Sequence, residues 1–405
     1  MALEVLVNGS ADPRARYLSW APSPGRIRQT GGAANVTVTL RNKPAPGGGE
    51  IEFYAALPGD PAPTLDLTLP ADGTPVDFWV AGRFPRASSD DGDTALEVVQ
   101  GGAVALSLPL MVRIRKNANL LDDGERERFL AAFAKLNDAG MGPFVNFRNM
   151  HTAAGDPEAH RAAGFLPWHR AYLLDLEREL QAIDRSVALP YWRFDQPAPL
   201  LFDLDFIGVS DDSGTVHFSQ DNPLQFWVTD GMPGIQRRPR FNTSTEPADV
   251  ISEADTLALG GPNNLFAAFR SMEGDPHGSA HVSFGGSISS ISTAARDPLF
   301  FLLHCNVDRL WAKWQWFFGR WDASQPGSYD PRPQRVGHNL NDTMWPWNGV
   351  TTPPRPSTAP GGGLASSLMT PAPGAKPRVR DLLDLQGKVT AAGRLGCDYD
   401  DVPFE

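Results

Sequence analysis

The first 112 residues are organised in short runs in which apolar and polar positions alternate. Examples are VTVTL (36–40), EIEFYAAL (50–57) and VDFWVAG (76–82), and turn-forming stretches such as PADGTP separate them. Alternation places one side of each run in a core and the other in solvent, which is the pattern of half-buried β-strands. We therefore predict an N-terminal all-β sandwich over residues 1–112.

After residue 113 the apolar spacing becomes helical. A first helix can be capped by Asp122 or Asp123, and a second begins near Pro167. The apolar positions of the first helix recur every three to four residues: Phe129, Leu130, Phe133 and Leu136. The chain is therefore predicted to be multidomain, with a mainly α domain over 113–350.

A third helix is predicted in the apolar stretch DPLFFLLHCNVDRLW. Asp297 can cap it, Pro298 suits the first helical position, and its body continues to about Phe318. Beyond this domain, residues 351–377 are rich in Pro and Gly, which predicts a flexible surface strap. Residues 378–405 regain an ordered pattern and are predicted to form a C-terminal segment that packs on the helical domain.

Charge and hydropathy restrict the partners. The chain has 36 basic and 47 acidic residues, so its net charge is −11, which argues against nucleic acid and anionic membranes as partners. No run of about 18 apolar residues is present, so no membrane span is predicted. The N-terminus shows no secretory signal pattern, so the expected location is cytoplasmic, with export by a partner protein left open. The oligomeric state is left open.

Six of the eight histidines fall into two sets of three. A single histidine among apolar residues is more often a hydrogen-bonded core residue than a metal ligand. Two sets beside apolar helices are different, because burying several imidazoles together is costly unless a group that binds neutral histidine lies between them. The first set is His151, His160 and His169, and the second is His277, His281 and His304.

The ligand types indicate which metal. Imidazole triplets suit Cu, Zn, Ni or Fe. The HxxxH pair of the second set lacks the interior Glu of a zinc protease, because Gly278, Ser279 and Ala280 fill the middle. The Glu-x-x-His pairs of di-iron bundles are also missing from the sequence. Three imidazoles per metal, twice and without carboxylates, favour copper.

Four segments together resemble the type 3 copper proteins, which are the tyrosinases, catechol oxidases and haemocyanins. They are GFLPWHRAYLLDLERE, LPYWRFD, EGDPHGSAHVSFGG and RDPLFFLLHCNVDRLWAKW, within roughly 113–350, and the resemblance extends to the tail near 380–402. It implies a tyrosinase-like domain in which a four-helix bundle holds a dicopper centre. The first copper would be bound by the first histidine set and the second copper by the second set, with O₂ as co-substrate.

The resemblance also implies the reaction. A copper-dependent polyphenol oxidase of this type uses O₂ to oxidise small phenols, chiefly o-diphenols to o-quinones. Two alternatives stay open: a haemocyanin-like protein that binds O₂ without turnover, and a latent enzyme shielded by the β-domain.

Three positions bear on substrate choice in the family. Hydroxylation of monophenols is associated with an Asn after the first ligand of the second copper, where this chain has Gly278. Glu273 is the candidate for the accompanying residue that holds a water. Ile291 occupies the gate position where plant relatives often have Phe, which implies a more open mouth. Monophenol hydroxylation is therefore the less expected activity. His217 and His338 match no ligand position and are expected in surface or loop sites.

Overall fold

The N-terminal runs form the strands of two sheets in the computed structural model, which describes residues 2–405. The first sheet has the order β1-β3-β7-β5 and is antiparallel. The second has the order β2-β9-β8-β4-β6, in which the short β2 runs parallel to β9. The strands are β1 Ala2–Val7, β2 Tyr17–Leu18, β3 Ser23–Thr30, β4 Val36–Asn42, β5 Ile51–Tyr54, β6 Thr64–Leu69, β7 Val76–Gly82, β8 Thr94–Gln100 and β9 Ala103–Val112.

The inward positions of both sheets share one apolar cluster. Ile27 and Phe78 come from the first sheet, Leu40 and Val98 come from the second, and all four are buried. The alternating sequence pattern explains this arrangement, because every second residue of a strand points to the same face. These strands belong to a compact unit formed by residues up to Ile114 with Ser367–Ala372 and Leu385–Glu405.

The chain end joins this β-rich unit. Trp20 Nε1 donates to the Tyr399 carbonyl at 2.9 Å, and Asp398 Oδ2 accepts the Ala21 N–H at 3.1 Å. Segment 378–405 was predicted to pack on the helical domain. The structure divides it, with residues up to Asp384 in the second unit and Leu385–Glu405 with the strands. The carboxylate of Asp398 keeps this segment with the strands, because the buried N–H of Ala21 needs a hydrogen-bond partner.

The second unit comprises Arg115–Ser366 and Pro373–Asp384 and is mainly helical. Its helices are α1 Asp123–Asn137, α2 Phe144–Met150, α3 Asp156–Ala159, α4 Phe165–Ile183, α5 Glu253–Ala258, α6 Phe266–Phe269, α7 Ser279–Val282 and α8 Leu299–Phe318. Three two-stranded ribbons lie between them: β10 Val209–Ser210 with β11 Val216–His217, β12 Val228–Thr229 with β13 Met232–Pro233, and β14 Arg237–Pro239 with β15 Phe284–Gly286. Within residues 2–405, no helix combines the length and apolar character needed to cross a bilayer.

Caps fix the ends of two of these helices. Asp122 and Glu125 form a reciprocal capping box at the start of α1. Asp297 is extended, and its Oδ1 accepts the Leu299 N–H at 3.0 Å, as the sequence predicts for the start of α8. Gly319 ends α8 in the left-handed conformation, with φ 63.

A buried charge network joins α4 to α8. Arg115 Nη2 lies 2.8 Å from Glu177 Oε2, and its Nη1 lies 3.2 Å from Asp308 Oδ2. Arg170 Nε lies 2.6 Å from the other Asp308 oxygen, and the guanidinium stacks over Trp311 at 3.7 Å. All four charged side chains are essentially inaccessible to solvent. Two positive and two negative groups balance, which is the condition for burying charge.

The predicted strap carries no helix or strand in residues 351–377, yet part of it packs closely on α4. Arg178 Nη1 donates to the Ala365 carbonyl, and Leu364 is buried. A side chain at Gly362 would collide with Asp175 Oδ2. Asp175 Oδ2 also accepts a hydrogen bond from Trp347 Nε1 at 2.8 Å. Burial raises the pKa of Asp175 to about 6.

The Asp175→Asn substitution is expected to stabilise the copper-free protein at neutral pH. The raised pKa means that folding opposes ionisation of Asp175, so the free energy of unfolding of the wild type falls as pH rises from about 4 to about 6. An Asn side chain does not ionise, so the variant does not lose this stability. The gain should be small at pH 4, reach at most about 3 kcal/mol above pH 6.5, and then stay level, since one pKa unit is worth about 1.4 kcal/mol. Urea unfolding of both proteins across this range measures it. An equal difference at pH 4 and pH 7 would contradict the assignment.

Candidate metal centre

The first histidine set comes from three different elements. His151 follows the last residue of α2, His160 follows α3, and His169 lies in the first turns of α4. One ring nitrogen of each lies within 4.8 Å of those of the other two, and all three side chains are buried. His151 Nε2 and His160 Nε2 are 3.3 Å apart. The chain turns between α2 and α3 and again between α3 and α4, and these turns bring the three equally spaced histidines into one cluster.

The second histidine set is built on two elements. His277 lies in the widened helical turn Gly274–Gly278, which runs directly into α7 with His281, and His304 lies on α8. His304 Nε2 is 3.3 Å from Nε2 of His277 and 3.2 Å from Nε2 of His281. One helical turn between His277 and His281 puts both rings on the same face.

The two sets are neighbours. The rings of His169 and His304 stack with centroids 4.2 Å apart and planes 11° from parallel. Phe300 packs on His304 at 4.3 Å and on His151 at 4.6 Å, and Phe165 packs on His169 at 4.7 Å. The packing of α4 against α8 therefore brings the sets together, and aromatic rings shield them from water.

Backbone carbonyls assign the proton on four of the six rings. His151 Nδ1 lies 3.0 Å from the Ile291 oxygen and His169 Nδ1 lies 2.9 Å from the Phe165 oxygen. In the second set, Nδ1 of His277 and of His281 lie 2.7 Å from the Glu273 and Ile288 oxygens. A carbonyl can only accept, so Nδ1 carries the hydrogen and Nε2 presents a lone pair to the other rings.

This arrangement suits a cation. Burial lowers the pKa of His151, His169, His277 and His304 well below the usual value, and that of His281 to about 4. These five rings are therefore neutral at pH 7, and His277 and His281 each direct an Nε2 lone pair at His304 Nε2, 3.3 and 3.2 Å away. His169 Nε2 is buried and has no hydrogen-bond partner. A metal ion in each set would satisfy these nitrogens, and an all-imidazole donor set fits copper.

Glu273 lies beside both sets. Its carbonyl accepts from His277, while its side-chain Oε1 accepts the Arg161 N–H at 2.6 Å, next to His160. Burial raises the pKa of its carboxyl group. Gly278 has helical dihedrals, and an added Cβ would meet only the Glu273 oxygen, at 3.3 Å. The predicted role of Glu273 in holding a water stays a prediction.

The backbone carbonyl of Ile291 accepts a hydrogen bond from His151 Nδ1, a role that the sequence did not predict. The side chain of Ile291 is 36% exposed, and that of Val282 next to His281 is 53% exposed. His281 is the one member of the two sets that is not fully buried. The open side of the centre therefore lies near His281.

The two remaining histidines lie outside the sets. His217 is exposed and pairs with Asp211 at 2.9 Å. His338 lies in a loop, one of the two positions expected for it, and is fully buried. Its Nδ1 accepts the Gly164 N–H and its Nε2 faces the Pro157 carbonyl, which together satisfy a buried imidazole.

Sequence reasoning missed Asp156. Its Oδ1 lies 3.2 Å from Nδ1 of His160, four residues later. The available signal was the i, i+4 spacing of a carboxylate and a candidate ligand. The carbonyls that hold the other rings carry no sequence signal at all.

Comparison with known proteins finds a family match over the residues that include both sets. Residues 141–317 match the family described as the common central domain of tyrosinase. The chain is 36% identical to a tyrosinase of Streptomyces glaucescens over 265 residues, which are 58% of this chain and 92% of that protein. It is 34% identical to a tyrosinase of Streptomyces antibioticus, over 59% and 94% of the two chains. A functional unit of octopus hemocyanin aligns with a TM-score of 0.45 and 20% identity, over 72% of this chain and 69% of that one.

Proposed function

The chain belongs to the tyrosinase family of type 3 copper proteins, and on that premise we propose that it oxidises small o-diphenols to o-quinones with O₂. His151, His160 and His169 hold the first copper, and His277, His281 and His304 hold the second. In this proposal, a four-helix bundle is built around α4 and α8, which carry His169 and His304. The observation that supports it best is the convergence of three imidazole nitrogens within each set, with Nδ1 of four of the six rings tied to backbone carbonyls.

When bound, a copper pair would supply the redox chemistry by which two catechols, each giving up two electrons and two protons, become two o-quinones while one O₂ becomes two waters. The protein holds the ligands still. Each Nδ1–H donated to a carbonyl fixes a ring in one tautomer and one orientation, so Nε2 needs no rearrangement when it binds. Phe165 and Phe300 keep water from the inner side of the rings.

A phenol reaches the centre over His281 in this proposal. That ring is partly accessible to solvent. The exposed residues Ile291 and Val282 flank the site. Aliphatic groups at such a mouth favour an aromatic ring over a charged solute. Glu273, whose carboxyl pKa is raised by burial, is suited to accept a proton through a water.

The Gly278→Asn substitution is expected to raise the rate of tyramine hydroxylation relative to catechol oxidation. The helical dihedrals of Gly278 suit an Asn, whose Cβ would lie 3.3 Å from the Glu273 carbonyl oxygen, so the backbone has to give by a few tenths of an ångström. The amide can then help to hold a water close to Glu273. Initial rates on both substrates measure the ratio, and Gly278→Ala is the control for the added Cβ. The same ratio in the wild type and both variants would count against the assignment.

Copper content and turnover of the full chain test the proposed function. We expect about two copper ions per chain, one for each set, and oxidation of catechol under air. Two coppers with no oxidation of any catechol would favour an O₂ carrier. Zinc or iron in the sets after copper-replete expression would contradict both functions.

A further inference from the structure

One of the six candidate ligands is held by a different group from the others. Four rings direct Nδ1 at a backbone carbonyl, whereas Nδ1 of His304 and Nδ1 of His160 make no hydrogen bond of ordinary geometry among the described residues. His160 Nδ1 faces the carboxylate of Asp156. A carboxylate therefore lies behind Nδ1 of one ligand alone among the six, and it is shared with the Arg161 guanidinium, 3.1 Å from its Oδ2.

The position of Asp156 is fixed by its own contacts. It is the first residue of α3, and its carbonyl accepts the His160 N–H at 3.0 Å, so the turn holds both side chains on one side. Oδ1 lies 3.2 Å from His160 Nδ1, and Oδ2 lies 3.1 Å from Arg161 Nη2. Arg335 donates to the His160 carbonyl. The turn of α3, Arg161 and Arg335 therefore all hold the segment that carries His160.

The contact between Asp156 and His160 is more than a surface ion pair. The His160 side chain is 3% exposed and that of Asp156 is 17% exposed. The other Asp–His pair of the chain, Asp211 with His217, is 41% and 58% exposed. Charges act over longer range and with less screening where water is excluded. The carboxylate of Asp156 can therefore act on whatever His160 binds.

We propose that Asp156 is a positioning residue for the first copper: its carboxylate orients His160 and strengthens Nε2 as a donor. A carboxylate that contacts Nδ1 makes Nε2 more basic and attracts the bound cation. A neutral carbonyl in the same position has a smaller effect on both. The first copper is then held more tightly than it would be by three carbonyl-tied rings. This inference rests on the proposed function, since it requires copper in the first set.

The experiment compares Asp156→Asn and Asp156→Ala with the wild type, using Asp211→Asn as the matched control. Copper-free proteins are titrated with copper against a chelator, and thermal unfolding is recorded before loading. We expect one copper per chain to weaken by roughly 10-fold in Asp156→Asn and by up to about 100-fold in Asp156→Ala, the range for groups that hydrogen-bond to metal ligands. The second copper, the control and the unfolding temperatures should change little.

Electron paramagnetic resonance provides a second readout. At a chelator concentration that empties only the weakened site, the Asp156 variants should show the signal of an isolated Cu(II), which an antiferromagnetically coupled pair lacks. Two equally tight coppers in both variants would overturn the inference and leave the proposed function intact. Loss of both coppers together with a lowered unfolding temperature would also overturn it, as a purely structural role. A wild type that binds no copper would overturn the proposed function itself.

Discussion

Replacing His304 by alanine is expected to remove the second copper and to abolish catechol oxidation. His304 Nε2 approaches both other nitrogens of its set, so its loss leaves two imidazoles, which cannot form a three-coordinate site. Its ring also stacks on His169 of the first set. The loss of activity should exceed the roughly 100-fold effect of removing a group behind a ligand. Copper per chain and the initial rate of catechol oxidation measure the result.

Two histidines outside the sets serve as controls for this substitution. His217→Ala removes an exposed imidazole and should change neither copper content nor rate. His338→Ala removes a fully buried imidazole with two partners, so it should lower stability while the folded fraction keeps both coppers. A His304→Ala protein that retains two tightly bound coppers would contradict the ligand assignment.

The sequence predicted the three long helices α1, α4 and α8 and grouped the histidines into two sets, because those signals are local. Asp297 with Pro298 marks the start of α8, and the spacing of His277 and His281 puts two rings on one face. Rings that come from separate loops, such as His151 and His160, meet only after the chain has folded. Their nearness in the sequence grouped them with His169 in one set, and the resemblance to a family then implied that this set binds one copper.

The partners of charged groups could not be predicted. Asp308 is held by Arg115 and Arg170, which lie 193 and 138 residues away along the chain. No sequence pattern connects such residues, since their contact depends on how α4 packs on α8. The same limit applies to Ile291, whose carbonyl rather than its side chain contacts the centre. Backbone groups offer the same chemistry at every position, so the sequence does not distinguish them.

The buried charges behind the centre lead to the largest expected change in stability. Asp308 lies one helical turn after His304, and Arg170 directly follows His169, so the network sets the register of the two helices that carry these ligands. Asp308 is the only carboxylate that contacts both Arg170 and Arg115 among the described ion pairs. Without its charge, Glu177 still pairs with Arg115, while Arg170 is left with Gln315 and the Leu382 carbonyl, which are neutral.

Asp308→Asn is therefore expected to lower the free energy of unfolding by about 3–5 kcal/mol, the cost of leaving one partner of a buried pair uncompensated. The substitution keeps the size of the side chain, so the lost charge rather than a cavity causes the effect. Urea unfolding of the copper-free protein, followed by tryptophan fluorescence, measures it. Asp123→Asn, which removes an 84% exposed partner of Arg126, should cost less than about 1 kcal/mol. Equal effects of the two substitutions would show that the network does not hold α4 against α8.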